Sequence, residues 1–198
     1  MHARKIIPAF HSFIAAVCVM TFFSCGSNDP VKQADARNDA KFSGTDDEKN
    51  SAIMVDAAGL LLQDIELAKL AQNNSIKNDV RKTGRQLELE YTQAYSLLKK
   101  IATEKTVTLP AEVSSSDKKT DTDISYEISD KFDDRYFELT KADHKKAIDL
   151  FEKIKSQSTL PALGQWAENT LILYRKNLES ITALEQRIAV NKPNPKTL

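Results

Sequence analysis

The stretch that decides the fold is residues 160–190, LPALGQWAENTLILYRKNLESITALEQRIAV. A stripe of mainly apolar residues recurs in it at alternating spacings of three and four. Its members are Leu160, Leu163, Ala167, Thr170, Tyr174, Asn177, Ile181, Leu184 and Ile188. This spacing places all of them on one face of an α-helix. A stripe sustained over this length is typical of a helix that packs against neighbouring helices.

Three further segments carry stripes of the same kind, at residues 53–73, 76–105 and 130–156. Their apolar residues recur every three or four positions, and no alternating pattern of useful length predicts a strand. We therefore predict an all-α fold, in which four amphipathic helices form a four-helix bundle over residues 53–190.

The connections between the predicted helices indicate the topology of the bundle. The first and last connections are short, so each joins two helices into an antiparallel hairpin. The middle connection, residues 106–129, can span about 80 Å when extended at about 3.3 Å per residue. It is long enough to run the length of the bundle, which permits a ferritin-like arrangement of two antiparallel hairpins joined by a long crossover.

The N-terminus has the layout of an export signal. Two basic residues stand within the first five positions, an uncharged and mainly apolar run follows to residue 23, and Ser24-Cys25 comes next. We predict a lipoprotein signal peptide over residues 1–24, with cleavage before Cys25 and lipid attached to its thiol. The alternatives are a membrane anchor that is retained, or a soluble periplasmic protein with one spare thiol.

The segments that flank the predicted bundle lack the apolar residues needed for a core. Residues 25–52 are rich in Asp, Lys, Asn, Ala and Ser, and we predict a disordered tether there. Residues 191–198 contain two prolines and are predicted to be an irregular tail.

Charge and cysteine content exclude several function classes. The chain has 28 Lys and Arg against 28 Asp and Glu, with no basic stripe, so we expect no nucleic-acid partner. Processing would discard Cys18 and lipid would block Cys25, so no thiol remains for a disulfide, a metal or a nucleophile. No Gly-x-Ser-x-Gly elbow or glycine-rich phosphate loop is present. We predict no catalytic residues and no cofactor.

Three motifs resemble one bacterial envelope family, known as domain of unknown function 4142. They are DIELAKLA at residues 64–71, VTLP at residues 107–110 and DHKKAIDLFEK at residues 143–153. The resemblance covers about residues 53–188. It implies a ferritin-like fold and an exported or lipoprotein-like protein, and the family has no established biochemical activity.

The resemblance also implies a set of interior positions. The family pattern places a histidine on each of the second, third and fourth helices, and these positions are Tyr91, His144 and Asn177 in this chain. Glu66 matches an acidic position of the first helix. We expect these residues to form either a hydrogen-bonded polar core layer or a metal or small-ligand site, with His144 and Glu66 as the candidate metal ligands.

A di-iron centre is not expected, because it needs two Glu-x-x-His motifs and the chain has none; Lys141 stands three before His144. The function we predict is an exported, lipid-anchored protein of the bacterial cell envelope, facing the periplasm or the cell surface, that is no enzyme and binds an envelope component or a protein partner. The alternative is a ferritin-like metal- or small-ligand-binding protein in stress protection.

Overall fold

The computed structural model describes residues 28–191, and this part of the chain is all-α. In chain order the helices are α1 (Pro30–Phe42), α2 (Asp47–Asn74), α3 (Asn78–Glu104), α4 (Ser115–Ser125), α5 (Ser129–Gln157) and α6 (Pro161–Val190). No strand occurs between residues 28 and 191, so the all-α part of the predicted fold is confirmed.

The four long helices are the ones that the apolar stripes predicted. The ends of α3, α5 and α6 lie within two residues of the predicted ones, whereas α2 begins at Asp47, six residues earlier than expected. The structure adds two short helices, α1 and α4. A count of four helices was therefore too low for the described chain.

The long helices pack in a closed order, in which α2 and α6 each lie along both α3 and α5. Asn50, near the start of α2, donates a hydrogen bond of 2.7 Å to the Thr159 hydroxyl just after α5. Arg187, near the end of α6, pairs with Asp79 at the start of α3 at 3.0 Å. Neighbouring helices therefore run antiparallel.

The starts of α3 and α5 lie at the same end of the molecule. Lys77, just before α3, pairs with Asp130 and, at 3.2 Å, with Asp133, both in the first turns of α5. Because α3 and α5 therefore point the same way, the chain between them returns along the helices before α5 begins. Helix α4 lies within this return and packs against α2 and α5.

One close approach fixes the distance between α2 and α3. A Cβ atom at Gly84 would lie 2.7 Å from the Ala68 carbonyl oxygen and 2.9 Å from the Ala71 Cβ. Both distances are shorter than van der Waals contact, so only glycine fits. This accounts for a glycine in the middle of a long helix, where it costs roughly 1 kcal/mol of helix propensity.

Residues 30–42 and 47–52 are helical, whereas the sequence predicted a disordered tether over 25–52. Asp29 is the N-cap of α1. Its side chain accepts hydrogen bonds from the backbone N–H groups of Val31 and Lys32, at 3.0 and 3.1 Å. Pro30 stands at the first helical position, where a missing N–H costs nothing.

Helix α1 is held by a buried amide and by apolar contacts. Asn38 is 1% exposed, and its side chain donates to the Thr108 carbonyl and accepts from the Thr108 N–H, each at 2.8 Å. Ala34 and Phe42 supply the buried apolar contacts of this helix. A hydropathy pattern does not predict such a helix, because asparagine is typical of loops.

Some predictions fall on residues outside the described range. The signal peptide over 1–24, Cys25 and residues 192–198 of the predicted tail lie there, and Asn191 caps the end of α6. Between residues 28 and 191, none of the helices combines the length and apolarity that crossing a bilayer requires.

The Asn38 contacts predict that α1 is part of the folded unit. Replacing Asn38 by alanine should lower the free energy of unfolding by about 2 kcal/mol, because both backbone groups of the half-buried Thr108 lose their hydrogen-bond partner. Chemical denaturation followed by circular dichroism would measure this. Arg37→Ala, at the neighbouring exposed position, is the control and should change stability little. Equal stabilities for the two variants would show that the Asn38 hydrogen bonds do not stabilise the fold.

Candidate functional site

A polar layer crosses the interior, and it contains three of the four residues that the sequence singled out. Tyr91 on α3, His144 on α5 and Asn177 on α6 are each at most 3% exposed. The Tyr91 hydroxyl lies 2.6 Å from His144 Nε2. Asn177 Nδ2 lies 3.3 Å from the same hydroxyl. The three side chains form one connected chain of hydrogen bonds.

The direction of each hydrogen bond follows from His144. Its Nδ1 lies 2.7 Å from the Thr140 carbonyl oxygen, which can only accept, so Nδ1 carries the proton. In the neutral ring Nε2 is then an acceptor, and Tyr91 donates to it. The Tyr91 oxygen in turn accepts from Asn177, which also donates to Glu90 at 2.8 Å.

A second polar pair lies beside the first, and the sequence analysis missed it. Tyr174 on α6 donates a hydrogen bond of 2.7 Å to Asp64 on α2. The Tyr174 ring stacks on Tyr91 and tilts against His144, each at 4.9 Å between ring centroids. All four long helices therefore meet at this level.

Asp64 could have been found from the pattern of α2. It stands three or four residues from the half-buried Leu60 and the buried Leu67, in a row that also includes the buried Ala57 and Ala71. An acid in such a row is a buried acid. Burial raises the pKa of Asp64 well above its ordinary value, against the opposing effect of the Tyr174 hydrogen bond. The neutral acid is therefore favoured.

Glu66 lies outside the layer. Its side chain is 41% exposed and pairs with Lys69 at 2.7 Å. Residues two apart on a helix point about 200° away from each other, so Glu66 cannot face inward where Asp64 does. The polar layer expected from Glu66, Tyr91, His144 and Asn177 thus takes its acid from Asp64 instead.

The imidazole and the two phenol groups of the layer are neutral at physiological pH. Burial lowers the pKa of His144 to about 4, against the raising effect of the hydrogen bond to Thr140. Burial raises the pKa of Tyr91 and of Tyr174 well above their ordinary value. Both ring nitrogens of His144 are engaged, so a metal at Nε2 would have to displace Tyr91. Within residues 28–191 no three His, Cys, Asp or Glu side chains are grouped as metal ligands.

An open groove lies between α3 and α6, and its volume is about 560 Å³. Apolar side chains line most of it: Ala94, Leu97, Ile101, Trp166 and Leu173. Trp166 is held in the wall by a hydrogen bond of 3.0 Å from its indole N–H to the Ala94 carbonyl. Glu90 and Lys100 also line the groove, ten residues apart on α3.

The fold and the layer define a helical domain whose long helices are joined in the interior by hydrogen-bonded polar side chains. The chain belongs to the family described as Domain of unknown function (DUF4142), whose model matches residues 32–184. The match confirms the family that the three motifs suggested, and it includes most of α1. No curated protein and no solved structure matches the chain.

The depressed pKa of His144 predicts an acid-sensitive stability. Unfolded, the imidazole binds a proton near pH 6.5, and folded it binds one only near pH 4. Stability therefore falls as pH drops from 6.5 to 4, by about 3 kcal/mol in all.

The measurement is the free energy of unfolding at pH 7, 5.5 and 4 for the wild type and for His144→Gln, which removes the titration but keeps a polar side chain. The two curves should converge on acidification, because only the wild type carries the His144 contribution. Parallel curves over this range would contradict the buried neutral imidazole.

Proposed function

We propose that the protein is an exported, lipid-anchored helical bundle of the bacterial cell envelope that binds an apolar helix of a protein partner. In this proposal α2, α3, α5 and α6 form a four-helix bundle of the ferritin-like kind. Their closed packing order, antiparallel neighbours and long return before α5 support that arrangement. Helices α1 and α4 are additions to it.

The lipid anchor is proposed from the sequence before Cys25, and the structure changes its expected geometry. Helix α1 begins at Pro30, so only residues 26–29 separate Cys25 from the folded domain. Four extended residues span about 14 Å. An anchor at Cys25 would therefore hold the domain close to the membrane surface, and not at the end of a long tether.

The observation that carries the binding proposal is the groove between α3 and α6. Two helices form its walls, it is open on one side, and its lining is mostly apolar. Grooves of this form receive amphipathic helices through apolar side chains at helical spacing. Leu97, 46% exposed, lies on the wall where such a helix would bury it.

The charges of the groove favour a helix as occupant and fix its direction. Glu90 and Lys100 stand about 15 Å apart along α3, since each residue rises about 1.5 Å. A helix carries partial positive charge at its N-terminus and partial negative charge at its C-terminus. Docked with its N-terminus near Glu90 and its C-terminus near Lys100, it would meet opposite charge at both ends.

The alternative function is a metal- or small-ligand-binding protein of ferritin-like form in stress protection. The contact between Tyr91 and His144 inside the bundle is the observation that supports an interior site. It requires a ligand that replaces Tyr91 as the partner of His144. The binding proposal needs no such rearrangement, because the groove is already open.

The anchor proposal predicts the behaviour of a single variant. Cys25→Ala should abolish incorporation of a labelled fatty acid and shift the protein from the membrane pellet to the soluble fraction. The anchored wild type expressed at the same level is the reference. Unchanged labelling and unchanged pelleting in the variant would contradict a lipid at Cys25.

The groove proposal predicts position-specific cross-linking in intact cells. A photoreactive p-benzoyl-phenylalanine at position 97 should give a protease-sensitive adduct of defined mass, because Leu97 lines the groove. The same probe at Leu89, on α3 but outside the groove and 70% exposed, is the matched control and should give none.

Two results would count against a helical protein partner in the groove. Identical adducts at positions 97 and 89 would indicate non-specific contact along α3. An adduct at position 97 that resists protease and carries only a small added mass would indicate a small ligand, as the alternative function requires.

A further inference from the structure

Exposed apolar side chains gather at the end of the molecule where α3 and α5 begin. Of the seven large apolar side chains that are exposed within residues 28–191, four stand at this end, and each is between 63% and 84% exposed. They are Ile76, Tyr126, Ile128 and Val190, and we refer to these four residues as the apolar end. The other three lie along the sides of α3 and α6, and the opposite end of the described chain carries none.

The connection between α4 and α5 holds two of these side chains at the surface. It consists of residues 126–128, Tyr-Glu-Ile. On one side of it, the Ser125 carbonyl accepts a hydrogen bond of 2.9 Å from Asn74 at the end of α2. On the other side, Asp130 pairs with Lys77. Because a three-residue connection is tied to the bundle on both sides, its tyrosine and isoleucine stay at the end of the molecule.

The other two members of the apolar end stand beside this connection. Ile76 lies in the turn between α2 and α3, directly before Lys77. Val190 is the last residue of α6, and Arg187, one turn before it, pairs with Asp79 at the start of α3. The turn, the connection and the end of α6 therefore lie at one end of the bundle.

The cations at this end are already paired. Lys77 contacts Asp130 and Asp133, and Arg187 contacts Asp79. Charge therefore does little to attract a partner here, and the burial of apolar surface is the main favourable interaction that this end offers. Single exposed apolar side chains are ordinary, whereas several gathered in one place are typical of an interaction surface.

The position of α1 indicates what this surface meets. Helix α1 begins at mid-height of the bundle, where Val31 faces Gly59 and an added Cβ would lie 3.3 Å from a Val31 methyl carbon. Asp29 accepts a hydrogen bond of 2.7 Å from the Ser115 N–H at the start of α4. From there α1 runs away from the apolar end, since residues 43–46 join it to the start of α2.

The apolar end is the end nearer to the proposed anchor at Cys25. Helix α4 leads from beside Asp29 to the apolar end, and its 11 residues rise about 16 Å. Residues 25–28 span about 14 Å when extended, which brings Cys25 close to that level. The opposite end is further away, because Asp47 and Gly59 are twelve residues or about 18 Å apart on α2, and the chain would have to double back along α1.

We propose that the apolar end docks on the surface of the membrane that carries the lipid anchor, with its side chains inserted among the lipids. The inference rests on the proposed lipid at Cys25. That lipid keeps the apolar end next to the bilayer, so a contact too weak to bind a free protein is made within one tethered molecule. Isoleucine and valine side chains enter the boundary between headgroups and acyl chains, and tyrosine lies at the headgroup level.

Docking in this way sets the orientation of the groove. The long helices would stand on the bilayer, so the groove between α3 and α6 would run away from the membrane and open to the side. A partner helix could then enter it without displacing lipid.

The test uses the full-length lipidated protein, reconstituted into vesicles of phosphatidylethanolamine and phosphatidylglycerol. Processing removes Cys18 and lipid blocks Cys25, so an introduced cysteine is the only free thiol. A nitroxide attached to Tyr126→Cys or Ile128→Cys should be more accessible to dissolved oxygen and less accessible to a water-soluble nickel chelate. The ratio of the two accessibilities, from power-saturation paramagnetic resonance, should be at least about threefold higher than at the control Ile172→Cys, an exposed position on the side of α6.

A second set of variants tests whether the apolar side chains cause the insertion. With the nitroxide on Val190→Cys, replacing Tyr126 and Ile128 by serine should lower the oxygen-to-nickel ratio toward the control value. Replacing Leu89 and Ile172 by serine, at exposed positions on the sides of α3 and α6, should leave the ratio unchanged. Thermal unfolding of each variant shows that it is folded.

The outcomes distinguish this inference from the proposed anchor. Equal ratios at positions 126, 128 and 172, in a protein that carries lipid and sediments with the vesicles, would overturn the inference and leave the anchor in place. Low accessibility to both reagents at positions 126 and 128 would indicate a protein contact and would also overturn it. A wild type without fatty-acid label would contradict the anchor, and the inference would fall with it.

Discussion

The hydrogen bond from Tyr91 to His144 is the constraint on which the rest of the interior depends. A polar group buried without a partner costs free energy, so these side chains tolerate only the relative helix positions that pair them. Apolar side chains would accept sliding of one helix along another by a turn. With Asp64 and Tyr174 at the same level, the polar contacts fix the register of all four long helices at once.

The same constraint explains why the layer can form its hydrogen bonds with tyrosine and asparagine at two of the three positions. At these positions the family resemblance implies histidine. Tyr91 supplies one O–H, which His144 Nε2 accepts without either group becoming charged. Asn177 donates to the Tyr91 oxygen and remains neutral at any pH. In this chain Tyr91, His144 and Asn177 therefore form hydrogen bonds with one another.

The sequence could predict the four long helices because their burial is apolar and periodic, and it could place Tyr91, His144 and Asn177 inside because they lie on those periodic stripes. It failed where burial is polar. Asn38 anchors α1 through two hydrogen bonds to the backbone of Thr108, seventy residues away, and no local pattern contains that contact. Glu66 was preferred to Asp64 by family position, although the helical period favours Asp64. The groove depends on which helices are neighbours, and this is a property of the packing between elements.

The two short helices give the molecule two chemically different sides. Helix α1 packs on α2, and α4 packs on α2 and α5, so these additions cover one side and leave α3 and α6 open on the other. The covered side carries acidic side chains from α2, α4 and α5, namely Asp56, Asp117 and Asp143. The open side keeps an apolar groove with a charge of each sign at its ends. The polar layer lies between these two sides, and a partner that docks on the open side would leave its hydrogen bonds intact.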